Sequence, residues 1–201
     1  MRSTYAFTAS SGKLSPMEIR IHKLCDGRPA RSHEYTTVTL VARAKALQVH
    51  VDAAYHGDPP PLCLPGSTPR LWEHEVVELF LFGNDARYLE IELGPAGHHL
   101  VLQLHGIRQV VETLTTLDFP KPRIASGRWS GVATIPTRHL PDGLDHVNAH
   151  AIHGQAAQRR YLSAFAGPGV PDFHRPEYAR PIAPTLLADF NKLAYSIKKL
   201  K

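Results

Sequence analysis

The feature that most constrains the fold is a stretch from Leu71 to Leu104 in which apolar and polar side chains alternate. Two clusters of turn-forming residues, Gly83-Asn84-Asp85 and Gly94-Pro95-Ala96-Gly97, divide the stretch into three segments. Successive side chains of a β-strand point to opposite faces of its sheet, so an alternating segment is typical of a strand with one buried face. The stretch therefore predicts three consecutive antiparallel strands.

The alternation assigns the side chains of these strands to two faces. The predicted core face carries Val77, Leu79, Leu81, Leu89, Ile91, Leu93, Leu100, Leu102 and Leu104. The other face carries Glu78, Tyr88, Glu90, Glu92, His99, Gln103 and His105. Like charges that face one another across a sheet are destabilising without partners, so this face indicates a binding or catalytic site. A solvated polar sheet surface is the alternative, and the sequence leaves both open.

The remaining segments indicate an all-β protein. Runs such as MEIRIHKL, TTVTLVARA and ALQVHVDAAY alternate in the same way, and proline-rich segments separate several of the runs. From Thr185 to Leu200 the spacing of Leu186, Phe190, Leu193 and Ile197 predicts one amphipathic helix. We therefore predict an antiparallel two-sheet β-sandwich with a C-terminal helix.

Length and composition bound the domain organisation and the partners. The 201 residues fit a polar, flexible N-terminal tail over residues 1–16 and a single domain over residues 17–201. The formal charge is +5, but no basic stripe with interleaved aromatic residues is present, which argues against a nucleic-acid partner. No apolar run approaches the length of a membrane span. Two cysteines and the polar first residues favour a cytoplasmic location, and the oligomeric state stays open.

Polar and aromatic side chains of the predicted second face, and of later segments, are the candidate ligand-binding residues. They are Trp72, Glu75, Glu78, Glu90, Glu92, His99, His153, Arg160, Asp172 and His174. Carboxylates need a counter-charge and basic groups need an acceptor, so clustering would satisfy both. We expect Trp72, Glu78, Glu90 and His99 to line one cavity, with the other basic residues and the 172–174 loop at its rim.

Known motifs for metal binding and nucleophilic catalysis are missing from the sequence. It contains no HExxH, no pair of CxxC motifs and no GxSxG. No metal ligand and no cofactor is therefore assigned, although the carboxylates leave room for calcium or another ion.

Several motifs carry a resemblance to known families. The run from Trp72 through YLEIELGP resembles the core of family-9 carbohydrate-binding modules and of the wider DOMON-like group. The motifs DGRPA, DPPP, LWEHEVVELF, AIHG, RRY and PDFHRPEY are similar to an uncharacterised protein family found in animals and bacteria, and together they span Met17 to Ile182. Both resemblances imply a β-sandwich.

The resemblance to the sugar-binding modules also implies roles for single residues. There, a tryptophan stacks on a sugar ring and a glutamate six residues later binds sugar hydroxyls, which corresponds to Trp72 and Glu78. The modules use a second tryptophan near the C-terminus, whereas this chain has none after Trp129, so Phe173 or Tyr178 would have to replace it.

Three functions are consistent with these observations. The first is a non-catalytic module that binds a carbohydrate or another small polyhydroxylated ligand. The second is a hydrolase that uses carboxylates and histidines on a sugar-like substrate. The third is a structural or protein-interaction domain, and the sequence does not decide whether the chain is an enzyme.

Overall fold

Two antiparallel sheets pack face to face in a computed structural model that describes residues 15–169 and 171–190. The first sheet has the strand order β1 (Met17–Ile21), β3 (Thr36–Arg43), β4 (Ala46–Ala54), β10 (Arg128–Pro136) and β9 (Arg123–Ala125). The second has the order β2 (Lys23–Leu24), β12 (Arg160–Ser163), β11 (His146–His153), β5 (Val76–Phe82), β6 (Arg87–Leu93), β7 (His99–His105) and β8 (Val110–Thr113). The short strand β13 (Arg180–Pro181) pairs with one end of β11. The predicted two-sheet β-sandwich is confirmed.

Short helices occupy some of the connections. The single-turn 3-10 helices are Ser32–Glu34, Leu71–Glu73, Thr137–His139, Ala156–Gln158 and Pro176–Tyr178. Helix α1 covers residues 184–190 of the described chain.

The core lies between the two sheets. Val38 and Leu40 of the first sheet and Leu79 and Ile91 of the second are buried in one cluster, together with Trp129. Burying a side chain of this size contributes about 1.5–3 kcal/mol to the free energy of unfolding, so this layer stabilises the sandwich most.

The three strands β5, β6 and β7 form as predicted, and the nine predicted core side chains are all buried. The face assigned to β7 was wrong. Leu100, Leu102 and Leu104 pair directly with Glu92, Glu90 and Tyr88, so they lie on the outer face of the second sheet. Both faces of β7 are covered by other parts of the protein. Apolar side chains therefore do not show which face of this strand points into the core between the sheets.

The outer face of the second sheet is itself largely apolar. Leu71, Val76, Phe80, Tyr88 and the β7 leucines form a second buried cluster there, which Tyr161 and Phe173 partly cover. The segment around Phe173 therefore lies over the sheet and leaves a cavity between itself and the strands.

The C-terminal helix begins one residue earlier than predicted. Residue 184 is a proline and the first helical residue, where its missing N–H costs nothing. Leu186 is buried in the main core and Phe190 packs against it. The predicted contacts of Leu193 and Ile197 lie outside the described residues, as does the predicted tail up to residue 14.

Candidate functional site

A cavity of about 380 Å³ lies on the outer face of the second sheet. Its lining residues come from β5, β6, β7, β8, β11 and β12 and from the loops that cover them: Trp72, Glu78, Glu90, Leu102, Leu104, Arg108, Val110, Ile152, Tyr161, Pro171, Asp172, Phe173 and His174. The structure thus brings together five of the predicted site residues: Trp72, Glu78, Glu90, Asp172 and His174.

Trp72 presents its ring to this cavity from the single-turn helix Leu71–Glu73. Trp72 is 41% exposed, although Leu71 beside it is fully buried and anchors the turn. The guanidinium of Arg159 donates hydrogen bonds to the backbone carbonyls of Trp72 and Glu73, and its Nε donates to the hydroxyl of Tyr161 at 3.1 Å. Arg159 therefore fixes the position of the tryptophan turn relative to β12.

Three glutamates form the polar part of the floor. Glu78 of β5 is directly opposite Glu92 of β6, and Glu90 is two residues further along β6 on the same face. None of the three is more than 3% exposed. Directly opposed residues of antiparallel strands have Cα atoms about 4.5–5.5 Å apart, so these carboxyl groups are close neighbours.

Burial strongly affects the ionisation of these glutamates. Loss of solvation, with the nearby charge of Glu90, raises the pKa of Glu78 well above its usual value, although the charge of Arg159 opposes this rise. Loss of solvation and the charges of Glu78 and Glu90 raise the pKa of Glu92 in the same direction. Burial raises the pKa of Glu90 to about 7. The floor can therefore take up and release protons near neutral pH.

A hydrogen-bond chain holds the ring of His174. The backbone N–H of Arg108 donates to the Tyr88 hydroxyl at 2.9 Å, and that hydroxyl is hydrogen-bonded to His174 Nδ1 at 2.7 Å. Burial, with the charge of Arg108, lowers the pKa of His174 to about 4, so the ring is neutral at physiological pH. Its other nitrogen, Nε2, lies 3.9 Å from Oε2 of Glu90.

Phe173 and His150 form one wall of the site. Their rings are stacked with centroids 3.8 Å apart and planes 9° apart, and Phe80 contacts His150 edge-on. His150 is directly opposite Glu78 on the neighbouring strand. Burial, and the charge of His174, lower the pKa of His150 to about 3, so this ring is neutral at physiological pH.

Two more predicted residues support the cavity from nearby. Glu92 lies beside Glu78 in the floor, beneath the lining side chains. Glu75 accepts hydrogen bonds from the backbone N–H groups of His56 at 3.0 Å and Asp58 at 3.2 Å. Glu75 therefore holds the proline-rich loop before Trp72 and does not line the cavity.

The predicted position of His99 was wrong. It pairs with Leu93, whose side chain belongs to the core between the sheets, so His99 lies on the opposite face from Glu90. Its ring packs edge-on against Phe119 at 6.5 Å, and its backbone bonds to Gly66 and Thr68. The cause is the same as for the leucines of β7, because the prediction assigned alternate residues of this strand to the wrong faces of the sheet.

His153 and Arg160 were also misplaced, because they form a separate buried cluster with Glu34. Arg160 donates to Oε2 of Glu34 at 2.8 Å and also pairs with Oε1, and His153 Nε2 lies 3.4 Å from Oε1. The ring of His56 stacks on His153 at 3.5 Å. Burial alone would raise the pKa of Glu34, but the hydrogen bonds from Arg160 and the Arg31 backbone outweigh it and lower that pKa.

Sequence reasoning missed several residues of the site. Arg108, Arg159 and Tyr161 line the cavity or hold its walls. Phe173, one of the two residues named as a replacement for the second tryptophan, also lines it. Tyr161 precedes the core residue Leu162 on β12, so its side chain points to the opposite, outer face of the sheet. This alternation could have indicated that Tyr161 belongs to the site. The pairing of Tyr88 with His174 joins residues 86 positions apart, and no local pattern indicates it.

Residues 15–169 and 171–190 contain no group of three or more His, Cys, Asp or Glu side chains arranged to hold a metal ion. The same residues contain no helix with the length and apolar character of a membrane span.

Comparison with known proteins gives both sequence relatives and a structural neighbour. No established family profile matches the chain. The UPF0462 protein C4orf33 homolog of Rattus norvegicus is 38% identical over 177 residues, which is 83% of this chain and 88% of that protein. The human UPF0462 protein C4orf33 is 36% identical over 173 residues, or 81% and 85% of the two chains.

One structural neighbour is a crystal structure from Bacteroides uniformis described as a "putative carbohydrate-binding protein". It superposes with a TM-score of 0.61 over 84% of this chain and 85% of that chain. The sequence identity is 16%, so this likeness concerns the fold alone.

Proposed function

The chain belongs to the UPF0462 family, as its relatives show, and we propose that it is a binding module for a carbohydrate or a similar small polyhydroxylated ligand. The observation that carries this proposal is one cavity that the exposed Trp72 lines together with Glu78 and Glu90. The Bacteroides uniformis neighbour supports it at the level of the fold.

The chemistry of the cavity suits a sugar. One face of a sugar ring is apolar and packs on an aromatic ring, and the half-exposed indole of Trp72 is available for such a contact. The hydroxyl groups of the sugar both donate and accept hydrogen bonds. Protonated carboxyl groups such as those of Glu78 and Glu90 can do the same, and ionised ones accept strongly.

The fixed geometry of the walls supports binding without a large rearrangement. Arg159 holds the backbone of Trp72, and the Tyr88 hydroxyl holds His174. A site whose side chains are already in place loses less conformational entropy when it binds a ligand.

The experiment is a glycan array followed by isothermal titration calorimetry on the wild type and on Glu78→Gln. We expect Glu78→Gln to weaken binding by roughly tenfold or more, because an amide cannot replace both hydrogen-bonding roles of the carboxyl group. Stability without ligand should change little, since the swap keeps the shape of a side chain that is largely uncharged. If both proteins bind every glycan found on the array with equal affinity, Glu78 is not part of the binding site.

A second candidate is a hydrolase that acts on a sugar-like substrate, and one observation favours it. Glu78 and Glu90 line the same cavity, and Glu90 has a pKa of about 7, which is suited to general acid or base catalysis. The test is the release of reducing ends from oligosaccharides that bind. Turnover by the wild type that disappears in Glu90→Gln, with binding retained, would favour the hydrolase over the binding module.

A further inference from the structure

The floor of the cavity contains buried carboxyl groups whose hydrogen bonding is incomplete. Within residues 15–169 and 171–190, Oε2 of Glu90 and both side-chain oxygens of Glu92 reach no hydrogen-bond partner of normal geometry, although the Trp72 backbone and the neighbouring carboxyl lie close to Glu92. Glu90 is 3% exposed and lines the cavity. Buried carboxyl oxygens almost always have partners. A proton held between Glu90 and Glu92 supplies one of them, and the oxygens left over can accept from a donor on a ligand in the cavity.

The nearest basic side chains are engaged elsewhere. All three nitrogens of the Arg159 guanidinium bond to backbone carbonyls or to the Tyr161 hydroxyl. Arg108 forms an ion pair with Asp172 at 2.7 Å. Over the described part of the chain, no lysine or arginine makes an ion pair with the floor glutamates. The charges of Arg159 and Arg108 act on Glu78 and Glu90 without bonding to their carboxyl groups, and the His174 ring 3.9 Å from Glu90 is neutral. A cation in the cavity would therefore meet carboxyl groups that no arginine or lysine of the described chain contacts.

The walls of the same cavity suit a cation. The rings of Trp72, Tyr161 and Phe173 line it, and aromatic faces attract ammonium groups within about 6 Å. The whole chain carries a formal charge of +5, so it does not concentrate cations by its overall field. A preference for a cationic ligand would thus come from the cavity itself.

We propose that the ligand of this cavity is an amino sugar, with its protonated amine over Glu90 and Glu78 and its ring against Trp72. The inference rests on the proposed carbohydrate-binding function and narrows it to amine-bearing saccharides. The ammonium group supplies a donor to Oε2 of Glu90, which has none, and can also donate to the Glu78 carboxyl that lines the same cavity. The hydroxylated ring accounts for the exposed Trp72.

Binding of an ammonium group should be linked to loss of a proton. The titratable groups around Glu90 are Glu78 from β5, Tyr88 and Glu92 from its own strand, and Arg108, Asp172 and His174 from the covering loops. Burial favours the neutral carboxyl of Glu90, although the hydrogen bond with Glu92 and the charge of Arg108 oppose it, and a cation placed between the glutamates reverses this preference. Glu90 then ionises, and its proton is released to solvent.

The experiment compares three β-1,4-linked tetrasaccharides with the same backbone: the tetramer of glucosamine, the tetramer of N-acetylglucosamine, and cellotetraose. Calorimetry at a pH below the pKa of the amine gives each dissociation constant. Repeating the titration in two buffers of different ionisation enthalpy gives the number of protons released. The variants are Glu90→Gln and Glu78→Gln, and the exposed Glu112→Gln on β8 is the control with the same change of charge.

We expect the glucosamine tetramer to bind roughly tenfold or more tightly than the two neutral tetramers, with release of protons, because a charged hydrogen bond is stronger than a neutral one. The preference should disappear in Glu90→Gln and Glu78→Gln and persist in Glu112→Gln. Equal binding of all three tetramers would overturn the amino-sugar inference and leave carbohydrate binding intact. A preference that survives both cavity variants would also overturn it. Failure of all three tetramers and of every other glycan tested would contradict the proposed function as well.

Discussion

Glu78 on β5 and Glu92 on β6 are directly opposite each other across a pair of antiparallel strands, and both carboxyl groups are buried. Two buried carboxylates cannot both be ionised at this separation without a counter-charge, because each also loses its hydration. The pair is therefore at least partly protonated without ligand. A ligand that supplies donors or a positive charge would change that state, so this relationship couples binding to proton uptake and release.

The stability of the ligand-free protein should decrease as the pH rises through 7. Burial raises the pKa of Glu90 from 4.5 to about 7, so the folded state keeps a proton that the unfolded chain releases at lower pH. This retained proton stabilises the folded state fully below pH 4.5, and the stabilisation is lost as the pH rises through 7. Its contribution to the free energy of unfolding is at most about 3 kcal/mol. Urea denaturation over a pH series measures it.

Glu90→Gln separates this effect from that of the other titrating groups. The buried histidines His150 and His174 have lowered pKa values, so they reduce stability only on the acid side of 6.5. The free energy of unfolding of Glu90→Gln should decline less steeply than that of the wild type above that pH. The exposed Glu112→Gln should follow the wild type. Parallel pH profiles for wild type and Glu90→Gln would contradict the assigned protonation.

The two tryptophans should respond in opposite ways to truncation. Trp129 is 1% exposed in the core, so Trp129→Ala should lower the free energy of unfolding by about 3–5 kcal/mol. Trp72 is 41% exposed, so Trp72→Ala should cost about 1 kcal/mol or less and abolish most of the ligand binding. Chemical denaturation and calorimetry on both variants test this contrast. A Trp72→Ala protein with unchanged affinity would exclude the ring from the site.

The adjacent arginines Arg159 and Arg160 form a second matched pair. Arg160→Gln leaves the buried Glu34 carboxylate without its main partner and should reduce stability by up to about 3 kcal/mol. Arg159→Gln releases the backbone of Trp72 and should weaken ligand binding with a much smaller loss of stability. Melting temperatures and dissociation constants of both variants distinguish the roles. Equal losses of binding in the two proteins would argue against a positioning role for Arg159.

The sequence predicted the architecture and part of the site because alternation alone determines which side chains share a face. Glu78 and Glu90 were placed on one face of β5 and β6 correctly for this reason. The same reasoning failed for His99, because both faces of β7 are buried and leucines then do not mark the core side. Contacts made by loops, such as those of Arg159, depend on tertiary packing that no local pattern encodes.

Carbohydrate binding at the cavity can be tested most directly by two-dimensional ¹⁵N–¹H NMR of the two indole N–H groups during titration with a saccharide that binds. Trp72 lines the cavity, whereas Trp129 is buried in the core and serves as an internal control in the same spectrum. We predict that the Trp72 indole signal moves in a saturable way, with the dissociation constant found by calorimetry, while the Trp129 signal stays in place. Saturable binding that leaves the Trp72 signal unmoved would place the ligand elsewhere and contradict the proposed site.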